Sequence, residues 1–154
     1  MFRLSKLTDY AVVVLVRLSR GEVVQTSPCI AAATGIPEPT VAKVLKGLAG
    51  KGLVTSQRGA RGGSQLTQDL GLIPVADVIA AIDGPIALTA CVDGGECDTH
   101  RLCPVHGRWD PVNEAIRAAL AGITLADMEA AMVPPAFRAP PTLPAPALSS
   151  RIPA

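Results

Sequence analysis

The sequence predicts a mainly α-helical fold carrying one small β-hairpin. Apolar residues recur at helical spacing through the first fifty positions and again after residue 74. Two short segments of β character flank a glycine-rich loop at residues 58–63. Glycine or proline stands at almost every boundary between these segments.

The elements follow in order. Leu7, Tyr10, Ala11, Val14, Leu15 and Leu18 predict a helix over about residues 5–20, ended by Gly21. Val12, Val13 and Val16 make it apolar almost all round, which predicts burial, in part against a second subunit. Thr26 or Ser27 can cap a second helix, with Pro28 in its first turn and Gly35 closing it. A third opens near Pro37–Thr40, where Val41, Val44, Leu45 and Leu48 form an i, i+3, i+4, i+7 stripe. Strands are expected at 53–57 and 64–67. Pro74 starts another helix bearing Val75, Val78, Ile79 and Ile82, and Gly84-Pro85 stops it. Val112, Ala115, Ile116, Ala119, Leu120 and Ile123 trace a stripe over about 109–121. Thr124 with Asp127 forms a capping box for a last short helix containing Leu125, Met128 and Met132. From Val133 onward seven of 22 residues are proline, a composition read as disordered.

Two short helices across a glycine-containing turn, then a basic hairpin, make a winged helix-turn-helix. Lys43 and Lys46 lie opposite the apolar stripe of the third helix and can meet DNA while the stripe holds the helix to its core. Thr40 in its first turn would approach base edges or phosphate, and Arg58 and Arg61 on the wing could enter a minor groove. The loop does not have the phosphate-binding order G-x-x-x-x-G-K-[ST], so a nucleotide cradle is not expected.

Charge is divided in the same sense. Residues 1–67 hold nine Lys/Arg against three Asp/Glu, a net +6; residues 68–154 hold five against ten, a net −5. A basic half facing a polyanion fits this asymmetry. No apolar run reaches the roughly 18 residues of a membrane span, and the N-terminus offers no cleavage site for a signal peptide. The chain is read as cytoplasmic, without a membrane or small-molecule substrate among its partners. Neither histidine lies near Ser27 or Thr34 in sequence, so no catalytic triad is apparent and no enzyme is expected.

Cys91, Cys97, Cys103 and His106 stand as C-x5-C-x5-C-x2-H in a loop with Gly94-Gly95. Thiolates and imidazole select zinc, copper or iron–sulfur clusters. Three cysteines and a histidine form an accepted zinc set, although zinc sites favour closer pairs. Iron–sulfur clusters require thiolates and accept histidine on one iron, so spacing leaves structural zinc and an iron–sulfur cluster both open. Asp93, Glu96 and Asp98 are read as solvating the loop, His100 as solvent-facing, and Cys29 as a small buried hydrophobe.

With these residues in place, the chain resembles the IscR- and NsrR-type winged-helix transcriptional regulators of bacteria over about residues 2–132. The matching stretches are LSKLTDYA at 4–11, PTVAKVL at 39–45, Leu53-Val54 with RGARGG at 58–63, and PIALTAC at 85–91 leading into the spaced cysteines. Within that family, residues 5–11 and TLADM at 124–128 look most like the regulator of the SUF iron–sulfur assembly system. The resemblance implies a homodimer packed through the helix at 109–121, and a cluster held by Cys91, Cys97 and Cys103. IscR-like members imply His106 as fourth ligand and a 2Fe–2S centre, the favoured reading. NsrR-like members imply instead Asp9 of the partner subunit, crossing the dimer interface, with a 4Fe–4S centre. The expected organisation is a DNA-binding domain at 1–84, a cluster-binding loop at 85–108, a dimerisation helix and C-terminal helix at 109–132, and a tail at 133–154. The implied function is repression of cluster-assembly genes with cluster occupancy controlling operator affinity; a nitric-oxide- or redox-responsive regulator is the alternative.

Overall fold

The computed structural model describes residues 3–21, 24–95 and 102–131. Expectations for Cys97, His100, Glu96, Asp98, Met132 and the proline-rich tail fall outside the described residues. The architecture is the expected one: six α-helices and a two-stranded antiparallel hairpin among the described residues.

Helix α1 (Lys6–Arg20) starts where the Ser5 hydroxyl accepts from the Thr8 amide at 3.2 Å. Ala11, Val14, Leu15 and Leu18 are buried along it. Its C-terminal carbonyls are covered from outside the helix: the Gln25 side-chain amide donates to Leu18 O at 3.3 Å and Arg17 O at 3.4 Å. Helix α2 (Ser27–Thr34) is capped by Thr26 and begins with proline in its first turn. Gly35 then takes φ 73, a left-handed conformation that a side chain would strain, and its amide closes on Ala31 O at 2.8 Å. That turn aims helix α3 (Glu38–Gly50), whose Val41, Val44, Leu45 and Leu48 are buried as the stripe predicts.

Strands β1 (Val54–Gln57) and β2 (Gly63–Leu66) pair from Val54↔Leu66 to Gln57↔Gly63. The hairpin is fastened at a second edge, where Gln25 and Ser64 exchange backbone hydrogen bonds of 2.9 and 2.7 Å. Gly63 permits this approach, because a Cβ there would lie 2.7 Å from the Gln25 carbonyl oxygen. A 3₁₀ turn at Leu70–Leu72, which periodicity did not reveal, carries the chain to helix α4 (Val75–Ile82).

Helix α5 (Asp110–Ala121) and helix α6 (Leu125–Glu129) complete the chain, α6 opening with the Thr124–Asp127 capping box. Residues 123–125 run beside 73–75, with Val75 N donating to Ile123 O at 2.9 Å and Leu125 N to Ile73 O at 3.0 Å. Leu125 is thereby fully buried in the core shared with α1, α3 and α4. An Arg20–Glu129 ion pair at 2.6 Å ties the end of α1 to α6.

One expectation about burial needs correction, that of Cys29, and α1 and α5 each keep part of their apolar surface uncovered within a single chain. Val13 is 40% exposed, because it lies on the arc of α1 opposite Ala11, Leu15 and Leu18. The stripe on α5 divides: Ile116 and Leu120 pack against the core, whereas Val112 and Ala115 turn outward and are exposed. Cys29 is exposed, since the following Ile30 takes the inward position on α2.

Candidate functional site

The candidate reading face is built by α2, α3 and the hairpin. Lys43 and Lys46 are exposed on the outer face of α3, Thr40 is half-buried in its first turn, and Arg58 and Arg61 are exposed at the hairpin tip. Residues 39–68 carry five lysines or arginines and not one acidic residue. Nothing in that stretch opposes the attraction of a phosphate backbone. Ala42 and Ala49, on either side of the two lysines, are also exposed on α3, so small side chains leave room for close approach beside them. The wing is braced from below, where Thr67 Oγ1 donates to Gly52 O at 2.7 Å and Ser56 and Ser64 hydroxyls meet at 3.3 Å.

The thiol loop lies beyond α4. Asp83, just past that helix, accepts from Thr8 Oγ1 at 2.7 Å and Ser5 N at 3.3 Å, which pins the loop's start to α1. Burial works against its charged form, but these hydrogen bonds prevail and hold the carboxyl below its ordinary value. Cys91 and Cys103 are half-buried free thiols. Cys91 Sγ lies 3.3 Å from Thr89 Oγ1, in the turn that enters a 3₁₀ segment at Val92–Gly94. The His106 amide reaches Cys103 O at 3.3 Å, so those two residues share one turn, with His106 exposed.

Among the described residues no three metal-competent side chains converge. The remaining cysteine of the motif, Cys97, is outside them. The chemistry of the donors nevertheless suits a thiophilic centre: two unpaired, half-shielded thiols and an imidazole flank the stretch that contains the third thiol. Asp9 stands elsewhere, exposed on α1 at a cavity of about 480 Å³ that it shares with Arg3, Lys6, Val12 and Met128. None of Cys91, Cys103 and His106 lines that cavity.

Residues that periodicity passed over hold the loop. Asn113 is 1% exposed, in the middle of a helix otherwise read by its apolar stripe. Its amide donates to Ile86 O at 2.9 Å and accepts from Leu88 N at 3.0 Å. Arg117 donates to the same Ile86 carbonyl and pairs with Asp93 at 2.5 Å. The available signal was a lone amide side chain on the inward side of an amphipathic helix.

Comparison with known proteins identifies the family and the fold. Residues 4–131 match the family model Rrf2, described as an iron-dependent transcriptional regulator. The Mycobacterium tuberculosis H37Rv protein Rv1287, described as an HTH-type transcriptional regulator, is 34% identical over 139 residues, covering 86% of this chain and 84% of its own. The HTH-type transcriptional regulator IscR of Klebsiella pneumoniae is 38% identical over 77 residues, 50% of this chain and 47% of that one. Among solved structures, T. potens IscR superposes with a TM-score of 0.59 at 29% identity, covering 86% of this chain and 93% of that one. CymR, the global cysteine regulator of B. subtilis, shares the fold with a TM-score of 0.64 at 24% identity, covering 86% of this chain and all of that one.

Proposed function

Because the chain belongs to the Rrf2 family of transcriptional regulators, we propose that it is a DNA-binding repressor whose thiol loop holds an iron–sulfur cluster and sets operator affinity. One observation carries the reading: Cys91 and Cys103, unpaired and half-buried, sit in the connection between the DNA-reading half and α5. A redox enzyme or electron carrier would have no use for the acid-free basic stretch at 39–68.

Cys91, Cys97 and Cys103 would supply thiolates and His106 the fourth ligand, the set suited to a 2Fe–2S centre. When bound, such a cluster supplies a bond set that oxidants and nitric oxide can destroy. The residues of this chain do the rest. Ligation at Cys91 and Cys103 would fix the spacing of these two cysteines, which stand between α4 and α5. Lys43 and Lys46, with Arg58 and Arg61, then meet phosphates, while Thr40 lies at the groove. Trp109 at 41% and Val112 at 45% exposure give α5 an apolar outer surface, which a second copy of the chain would cover. Two copies would present their α3 helices to half-sites about one DNA turn apart. A coupling of about 1–3 kcal/mol between loop and operator changes affinity roughly five- to 150-fold, enough for a genetic switch. The likeness at residues 5–11 and 124–128 supports cluster-assembly genes of the SUF type as the target, with repression lifted when clusters are scarce.

Anaerobic purification followed by visible spectroscopy and metal analysis tests the reading. A brown protein with iron and sulfide, whose hold on DNA changes when both are stripped, supports it. A colourless protein with one zinc per chain, or equal affinity before and after stripping, overturns it. His106→Ala and Asp9→Ala separate the fourth-ligand assignments, since the residue that is no ligand leaves cluster content unchanged.

A further inference from the structure

Asp110, Asn113 and Arg117 follow one another at i, i+3 and i+7 and share one side of α5. Each grips the segment that carries Cys91. Asn113 uses both ends of its amide, donating to Ile86 O at 2.9 Å and accepting from Leu88 N at 3.0 Å. One turn later, Arg117 Nε donates to Ile86 O at 3.1 Å. Its two terminal nitrogens reach the two Asp93 carboxylate oxygens at 3.3 and 2.5 Å, a fork-to-fork pairing. The Asp93 amide in turn donates to Asp110 Oδ1 at 3.2 Å. Asp93 adopts φ 56, a left-handed conformation uncommon for any residue with a side chain, and these contacts hold it there. Ile86, at the near end of the segment, is buried in the core with Ile79 of α4. Cys91 therefore lies between two points clamped to α5, 88 and 93, in a segment anchored to the core through Ile86.

We propose that Asp110, Asn113 and Arg117 are positioning residues that fix Cys91 against α5 and transmit the state of the thiol loop through Ile86 to the DNA-reading half. The proposal rests on the reading of that loop as a metal sensor. Apolar packing of α5 alone would leave residues 86–93 free to slide along the helix. Hydrogen bonds to three backbone positions, 86, 88 and 93, and to one side chain fix their register. A pull on Cys91 then becomes a displacement of α5 relative to α4, not slack within the loop.

The test compares the full chain with Arg117→Ala and Asn113→Ala. Arg117 is part-exposed, so its removal leaves the core intact even if loss of the buried Asn113 impairs folding. In metal-free protein, alkylation by iodoacetamide is followed at each thiol by peptide mass spectrometry. Exposed Cys29 on α2 serves as the internal reference. Loosening residues 86–93 should speed alkylation of Cys91 about fivefold relative to Cys29 while the thermal melt of Arg117→Ala stays close to the parent's. In metal-loaded and stripped preparations, affinity is measured for a duplex selected by the parent protein from a random library. The parent's loaded-to-stripped ratio, about fivefold or more, should collapse toward one in the variants. Unchanged Cys91 alkylation in both variants overturns the proposal, and so does faster alkylation with the parent's ratio retained. A parent ratio of one sinks the sensor reading itself, and the transmission with it.

Discussion

The reading face makes a quantitative commitment about salt. Lys43, Lys46, Arg58 and Arg61 are all exposed, and the stretch around them holds no carboxylate to compete for them. If each neutralises one phosphate, two copies on one operator release counterions from about eight, which gives a slope of roughly −7 for log affinity against log salt. Raising salt from about 50 to about 200 mM should then weaken binding by about four orders of magnitude. Arg61→Ala removes one contact from each copy and should flatten the slope by about 2. Fluorescence anisotropy on a labelled duplex over a salt series measures both quantities. The effect on slope should be the same on unrelated sequences if Arg61 touches only the backbone. A parent slope shallower than about −3, or slopes unchanged by alanine at each of the four cations, would refute the docking of α3 and the wing.

Other consequences follow from the packing. Leu125→Ala leaves a cavity in the core shared by α1, α4 and α6 and should destabilise the fold by about 2–5 kcal/mol, visible as a lowered melting temperature. Gly63→Val would press a branched side chain against the Gln25 carbonyl. Faster hydrogen exchange at the Ser64 amide, with weaker DNA binding but intact helix content by circular dichroism, is the expected result. The Asp83 carboxyl is held below its ordinary 3.8 by Ser5 and Thr8 against the cost of burial. Its contribution is therefore complete above pH of about 4 and is lost as pH falls through the lower, folded value. Thermal melts across that range should show a smaller acid loss in Asp83→Asn than in the parent.

The helical framework was legible because its signals are local. Thr26 and Thr124 cap the helices the sequence assigns to them, and Val41, Val44, Leu45 and Leu48 face inward as their spacing requires. The divided stripe of α5 was not legible. Val112 and Ile116 are equally apolar, and only the direction from which α4 approaches decides which one is covered. Cys29 illustrates the same limit, for a neighbouring Ile30 took the inward place. The clamp on the thiol loop was hidden for another reason. Asn113 and Arg117 act on backbone carbonyls and amides 25–31 positions away, and backbone groups leave no mark in an amino-acid pattern. The candidate ligand set, Cys91, Cys97, Cys103 and His106, stands out in the sequence because thiol and imidazole side chains are recognised by residue type alone.

Gln25 deserves a last consideration, since three neighbours converge on one residue. Its side chain covers the end of α1, its backbone pairs with β2, and Thr26 beside it starts the helix that leads to α3. The hairpin and α3, which the proposed docking sends into adjacent grooves, are thus riveted to a common block. Under the proposed function, a signal from the thiol loop would tilt that block or change its distance from a twin rather than remodel it. Strength of attachment should then vary with the signal, while the preferred bases stay the same.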